Sequence, residues 1–189
     1  MCKTSNWHNQ HTACYRLPVV RGRKNPGYMG FPSRLRKARQ SASHNPSGLT
    51  EPASRSTLSG WEQGQRLPRL DAVERVAYVL GLSPAFLAFG IESDASQPTI
   101  GSRCEGVASR LREARTARGL SALTLATGAG LSHNAVRSTE TGASMPSIAT
   151  AEALAIALGV SPGWLAYGLG PMELPGRRRV AASPAPSPG

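Results

Sequence analysis

The chain of 189 residues contains one phrase twice, and this internal repeat limits the possible folds more than any other feature. The phrase reads "LGLSPAFLAFG" over residues 80–90 and "LGVSPGWLAYG" over residues 158–168, with seven of the eleven positions identical. Upstream, "SRLRKAR" at residues 33–39 matches "SRLREAR" at residues 109–115, with the offset reduced from 78 to 76. About 60 residues are therefore repeated, which predicts one small domain present in two copies.

Apolar residues in both copies recur at the spacing of amphipathic helices, while the alternation typical of strands is scarce. Each copy predicts five short helices, so the expected fold class is all-α with two tandem five-helix domains. The expected inward-facing residues of helices one to four in the second copy are Val107, Leu111, Ala114, Leu125, Ala126, Ala129, Val136, Thr139, Ile148, Ala151, Leu154, Ala155 and Leu158. Those of helix four in the first copy are Leu70, Val73, Val76, Ala77 and Leu80.

The repeated phrase itself is expected to form the fifth helix of each copy. Ser161 begins this helix in the second copy, and Pro162 suits its first position, where a missing N–H costs nothing. The pairs Phe86/Trp164 and Leu87/Leu165 are expected to close a core that is too small to close itself.

The formal net charge is +11, and most of the excess lies at the two ends of the chain. A basic excess favours a polyanionic partner such as nucleic acid. From charge and composition we expect a disordered basic arm at 1–30, domains at 31–92 and 105–172, a linker at 93–104 that contains Cys104, and a disordered tail at 173–189.

Several classes of protein do not fit this composition. No apolar stretch approaches the roughly 18 residues of a membrane span, and no signal peptide is evident, so we expect a cytoplasmic protein without a membrane partner. Cys2, His8, His11 and Cys14 have a spacing unlike that of zinc fingers, so we expect no metal. Because no catalytic triad or phosphate-binding loop is found, we predict that the protein is not an enzyme and uses no cofactor.

Two helices joined by a short glycine-containing turn form the helix-turn-helix pattern. The segment "LSALTLATGAGLSHNAVRSTETG" at residues 120–142 resembles the XRE/Cro/lambda-type repressor domain, and residues 157–168 resemble the end of phage repressor domains of that class. The resemblance covers roughly residues 31–90 and 105–170, and it is partial in the first copy. It implies five helices per domain, with the third laid in the major groove of DNA.

The resemblance also implies which residues contact DNA. In the second copy they are Ser121 and Ser132 at the starts of helices two and three, and His133, Asn134, Arg137 and Ser138 on the exposed face of helix three. In the first copy they are Asn45, Ser54, Arg55, Ser56 and Ser59. Asparagine can bind adenine and arginine can bind guanine through two hydrogen bonds each. The pairs Arg115–Glu140 and Arg39–Glu62 match the family's internal ion pair, and we expect each arginine to face phosphate as well.

The first copy departs from the family pattern in the turn before its third helix. It lacks two residues between Thr50 and Ser54, and it carries Pro52 where the turn should be. Because proline disfavours helical geometry at the residue before it, helix two of this copy should be short, beginning near Pro46. Whether the first copy reads DNA is left open by the sequence.

Two functions of different classes remain after these observations. The first is a sequence-specific regulator of double-stranded DNA, most simply a repressor from a bacterium or phage that acts at the nucleoid. Regulators of this class bind as dimers, so a homodimer is possible, although two tandem copies can also occupy two half-sites as a monomer. The second is an antitoxin or interaction adaptor that uses the same fold to bind a toxin or another regulator.

Overall fold

A computed structural model describes residues 26–41, 53–92 and 103–173 of the chain. We refer to residues 26–92 as the N-terminal half and residues 103–173 as the C-terminal half. The α-helices of the described residues are α1 (Phe31–Ser41), α2 (Arg55–Glu62), α3 (Leu70–Val79), α4 (Pro84–Phe89), α5 (Val107–Thr116), α6 (Ala122–Ala129), α7 (His133–Glu140), α8 (Ile148–Leu158) and α9 (Pro162–Tyr167). No strand occurs among these residues, only two isolated β-bridges, so the all-α prediction is confirmed there.

Serine residues begin most of the helices at the positions that the sequence predicts. The hydroxyl oxygens of Ser54, Ser121 and Ser132 each accept a hydrogen bond from the backbone N–H three residues later. Such a cap satisfies one of the free donors at a helix start and stabilises the helix by about 1 kcal/mol. Ser161 also precedes a helix, but its side chain makes no capping bond, and Pro162 follows it at the first position.

The core of the C-terminal half is built from the helical stripes that the sequence indicates. Leu111, Leu125, Val136 and Leu154 are each fully buried and pack in one apolar cluster. Of the predicted inward residues, only Ala129 is partly exposed. The stripes are therefore confirmed for all four helices.

In the N-terminal half, the predicted stripe of α3 is also buried, and Trp61 of α2 completes the core. The ring of Trp61 packs edge-on against Phe31 of α1 at a centroid distance of 6.4 Å. The prediction that the repeated phrase closes the core is confirmed for Leu87 and Leu165, which are fully buried, and Trp164 packs half-buried against the core. It needs correction at Phe86, which is only half-buried, whereas Phe89 and Tyr167 of the same helices are buried.

The predicted boundaries also need correction at the start of each half. The sequence predicts a disordered arm through residue 30, yet Gly27–Gly30 forms a 3₁₀ turn that leads into α1. It also predicts a linker that includes Arg103 and Cys104, yet they belong to the 3₁₀ turn Arg103–Gly106, in which Cys104 is buried. Both turns are held by glutamates of the opposite half, which sequence reasoning did not anticipate.

Some predictions fall outside the described residues. These concern Asn45, helix two of the first copy with Pro52, most of the linker, residues 1–25 with Cys2, His8, His11 and Cys14, and residues 174–189.

Candidate nucleic-acid interface

The turn between α6 and α7 has the backbone geometry of a helix-turn-helix. Gly130 ends α6 with a φ of 68°, a left-handed conformation that favours glycine because it has no Cβ. The amide of Leu131 then donates to the carbonyl of Ala126 at 2.9 Å, which closes the turn. Ser132 caps α7 immediately afterwards, so α7 begins at a fixed angle to α6.

The outer surface of α7 collects the side chains that the sequence predicts. His133, Asn134, Arg137 and Ser138 line one open depression together with Thr141. Asn134 and Arg137 are exposed, while His133 and Ser138 are half-buried at the edges. Ser138 donates its hydroxyl to the carbonyl of Ala135 at 3.2 Å, which leaves its oxygen available as an acceptor. We call these four predicted residues the α7 surface.

An ion pair beneath the α7 surface fixes the end of this helix. Arg115 donates to both carboxylate oxygens of Glu140, at 2.5 and 3.2 Å, and also to the carbonyl of Leu120 at 2.7 Å. Arg112 donates to the backbone carbonyl of Glu140. These bonds tie the C-terminal end of α7 to α5, so the orientation of the α7 surface depends on them.

Ser121 lies at the exposed start of α6. Its hydroxyl oxygen accepts from the amide of Thr124 at 3.0 Å, while the first amides of the helix have no partner within it. Free N–H groups and the helix dipole make such a helix start favourable for an anion.

The N-terminal half has a similar helix with a different surface. Ser54 caps α2 by accepting from Thr57, and Arg55, Ser56 and Ser59 are exposed. Beneath them, Arg39 donates to both carboxylate oxygens of Glu62 at 2.7 and 3.0 Å. The hydrogen bond to that carboxylate raises the pKa of Arg39 above its ordinary value.

Part of this helical arrangement is similar to a known family. Residues 111–165 match the family model described as Helix-turn-helix. This segment is therefore similar to DNA-binding helix-turn-helix domains of the XRE type. The match runs from within α5 to within α9 and includes the turn and the α7 surface. No curated protein and no solved structure matches the chain.

Sequence reasoning missed a half-buried arginine that holds each half together. Arg34 donates to the carbonyls of Leu87, Ala88 and Gly27 at 2.6 to 2.9 Å. Arg110 does the same to Leu165, Ala166 and Arg103 at 2.8 to 2.9 Å. Each arginine thus joins the first helix of its half to the C-terminal carbonyls of the last one, where a helix dipole favours positive charge.

Burial lowers the pKa of both guanidinium groups from their ordinary value, and neighbouring acids partly offset the effect. The signal in the sequence was the first arginine of the "SRLR" that both copies share, to which the sequence analysis gives no role.

Two kinds of site are not found in the part of the chain that the structure describes. No group of three or more histidine, cysteine, aspartate or glutamate side chains there could hold a metal ion. Within the same residues, every helix is too short or too polar to cross a membrane.

Proposed function

We propose that the protein is a sequence-specific regulator of transcription, acting as a repressor, that reads the major groove of double-stranded DNA with α7. The family match to residues 111–165 supports DNA binding of the XRE type. The tandem arrangement is also part of the proposal: α2 and α7 are the third helices of two related domains. Such a protein acts on the nucleoid in the cytoplasm.

The strongest support for the proposal is the set of side chains on the α7 surface. Asn134 and Arg137 are both exposed on the same face, one helical turn apart. An amide and a guanidinium are the groups that form two-bond contacts to adenine and guanine in the major groove. The inner face of α7 is fully committed to the core and to the Arg115–Glu140 pair, so the outer face is the part left to meet a partner.

Selection of bound sequences from random duplex DNA tests this function directly. We expect the full chain to enrich a defined motif. The Asn134→Ala variant should lose one two-bond contact, weaken binding to that motif by about 1–3 kcal/mol, and relax the preference at a single base pair.

Arg75→Ala is the matched control for this variant. Arg75 is an exposed residue of α3 that faces Asp71 and does not belong to the α7 surface. The control removes a positive charge, so it can weaken affinity slightly but should leave the consensus unchanged. An unchanged consensus for Asn134→Ala would remove Asn134 from the reading surface. A selection that enriches no motif would favour the adaptor function, with a toxin or another regulator as partner.

A further inference from the structure

The two halves of the chain meet along one continuous contact, which we call the seam. It consists of the segments 68–70 and 146–148 and of helices α4 and α9. The amide of Leu70 donates to the carbonyl of Pro146 at 3.1 Å, and the amide of Ile148 donates to the carbonyl of Pro68 at 3.1 Å. These two bonds form a short antiparallel bridge in which Arg69 faces Ser147.

Residues at the seam contact their own counterparts in the repeat. Arg69 and Ser147 are related by the offset of 78, and so are Phe89 and Tyr167, whose rings lie 6.4 Å apart. Gly163 lies against Ala85 in the same way, since a Cβ on Gly163 would be 3.1 Å from that of Ala85. Contact between equivalent residues is the property of an isologous interface, in which a half-turn exchanges the two partners.

Two equivalent glutamates, one in each half, also bind the opposite half outside the centre of the seam. Glu152 on α8 accepts from the amides of Gly27 and Tyr28, at 2.7 and 2.8 Å. Glu74 on α3 accepts from the amides of Arg103 and Cys104, at 2.7 and 3.1 Å. Each half therefore holds the first turn of the other with a carboxylate at the equivalent position.

The apolar core also crosses the seam. The cluster that contains Phe31 and Leu70 of the N-terminal half continues into Val107, Ile148 and Tyr167 of the C-terminal half. Fully buried apolar contact of this kind fixes two halves as one body, whereas a flexible tether would leave their relative orientation free.

We propose that this single chain is the covalent equivalent of a two-fold dimer and binds one DNA duplex as a monomer. The inference rests on the proposed DNA-binding function. Because a half-turn relates the halves, α2 and α7 face inverted half-sites rather than direct repeats. Because α2 and α7 expose different residues, the two half-sites have different sequences. Because the seam is rigid, the spacing between the half-sites has one fixed value.

The seam leaves no need for a second copy. Its groups are already paired within the chain, at the effective concentration of a short linker, which is on the order of millimolar. A second chain at micromolar concentration competes poorly with that. We expect the free protein to sediment as a single chain of 19.9 kDa.

A disulfide across the seam tests this arrangement without DNA. In a chain whose natural cysteines are replaced by alanine, we introduce Arg69→Cys and Ser147→Cys together. The facing residues of a non-hydrogen-bonded antiparallel pair lie about 4.5 Å apart at Cα, which suits a disulfide. Oxidation should consume both thiols and leave a single chain on a non-reducing gel. Free thiols, or linked dimers as the main product, would overturn the proposal.

Each single-cysteine variant is the control, since it can form a disulfide only between two chains. We expect both single variants to remain unlinked at micromolar protein. Sedimentation of the unaltered chain gives a second, independent measurement. A mass of two chains there would also contradict the inference.

A further experiment measures binding to DNA duplexes that carry the selected motif. We expect one chain per duplex, an inverted pair of unequal half-sites, and at least a tenfold loss of affinity when about half a helical turn of DNA is inserted between them. Two chains per duplex, a direct repeat, a lone half-site or tolerance of the insertion would each overturn the inference. If no motif is selected, the proposed function fails. The disulfide and sedimentation results would still show whether the two halves of one chain pair with each other as proposed.

Discussion

The two halves of the chain hold helices α2 and α7 in the same way, but these helices expose different side chains on their outer surfaces. Both helices are capped by serine, and both end in a glutamate that pairs with an arginine of the first helix. The exposed positions share no residue: Arg55, Ser56 and Ser59 in α2 stand where His133, Asn134 and Arg137 stand in α7. The shared residues determine how α2 and α7 are held in their halves, and the differing residues determine which groups of a partner each helix can contact.

The halves also differ in how they fill the core behind these helices. α2 contributes Trp61, whereas α7 has Thr139 at the equivalent position, where a hydroxyl donates to the carbonyl of Ala135. In the C-terminal half Leu125 and Leu131 of α6 and its turn pack in the core together with Val136 of α7. Trp61 and Leu58 thus anchor α2, while smaller side chains anchor α7.

The largest effect should come from removing that ring. Trp61→Ala is expected to destabilise the protein by about 3–5 kcal/mol, because it deletes a buried aromatic side chain and leaves a cavity against Phe31. Thr139→Ala, at the equivalent position, removes one hydroxyl and should cost about 1 kcal/mol. Denaturant unfolding followed by circular dichroism measures both. Equal losses would mean that α2 and α7 are anchored alike.

The next largest effect concerns the two ion pairs. Within the residues that the structure describes, Arg115 makes three hydrogen bonds, two to Glu140 and one to Leu120, whereas Arg39 makes two to Glu62. We expect Arg115→Ala to cost about 2–3 kcal/mol and Arg39→Ala about 1–2 kcal/mol, since hydrogen bonds to charged groups are worth more than neutral ones. The free energy of unfolding at neutral pH gives the comparison. A larger loss for Arg39→Ala would show that the ion pair at α2 stabilises the protein more than the ion pair at α7 does.

Much of the helical frame was predictable from the sequence because its signals are local. The spacing of Leu70, Val73 and Val76 fixes the buried face of a helix, and the serines before α6 and α7 fix where those two helices begin. The residues of the α7 surface came instead from the resemblance to the XRE/Cro/lambda-type domain, and of the four, Asn134 and Arg137 are exposed. Their contact with DNA remains a prediction.

The seam was not predictable, because its contacts depend on how two distant segments approach. Glu74 and Glu152 read as ordinary helix residues, and nothing local indicates that each binds the first turn of the other half. Phe86 and Phe89 differ by three positions on a six-residue helix, so the sequence could not tell which of them turns inward. The linker boundary failed for the same reason, since the turn that contains Cys104 is held by Glu74 of the opposite half.

A third prediction tests whether the difference between the exposed surfaces is functional. Arg137→Ala should weaken binding to the selected duplex by about 2 kcal/mol, as expected for an arginine that contacts guanine. Arg55→Ala should cost about 1 kcal/mol and change the consensus less. The two variants lose the same charge, so each is the control for the other in a titration at fixed salt. Equal losses would indicate that α2 reads bases as closely as α7 does.

The smallest effect concerns the hydroxyl of Tyr167, which makes the contact between α4 and α9 unsymmetrical. Tyr167 donates to the carbonyl of Leu70 at 3.2 Å, and its counterpart Phe89 has no hydroxyl. Tyr167→Phe should therefore cost about 1 kcal/mol. Burial raises the pKa of Tyr167 well above its ordinary value. Its contribution is fully present below pH about 10, the pKa of an unfolded tyrosine, and is lost as the pH rises from there toward the folded-state pKa. The variant should lack this part of the alkaline decline in unfolding free energy.

The reverse substitution makes this test specific to the half-turn. The counterpart of Leu70 is Ile148, so Phe89→Tyr places a new hydroxyl where the carbonyl of Ile148 can accept it if the seam is two-fold at this point. The variant should then be as stable as the unaltered protein, or more stable by up to about 1 kcal/mol, in thermal or denaturant unfolding. A loss of about 1–3 kcal/mol, the cost of a buried hydroxyl without a partner, would show instead that the two halves are equivalent in their backbones but not in the packing around Phe89 and Tyr167.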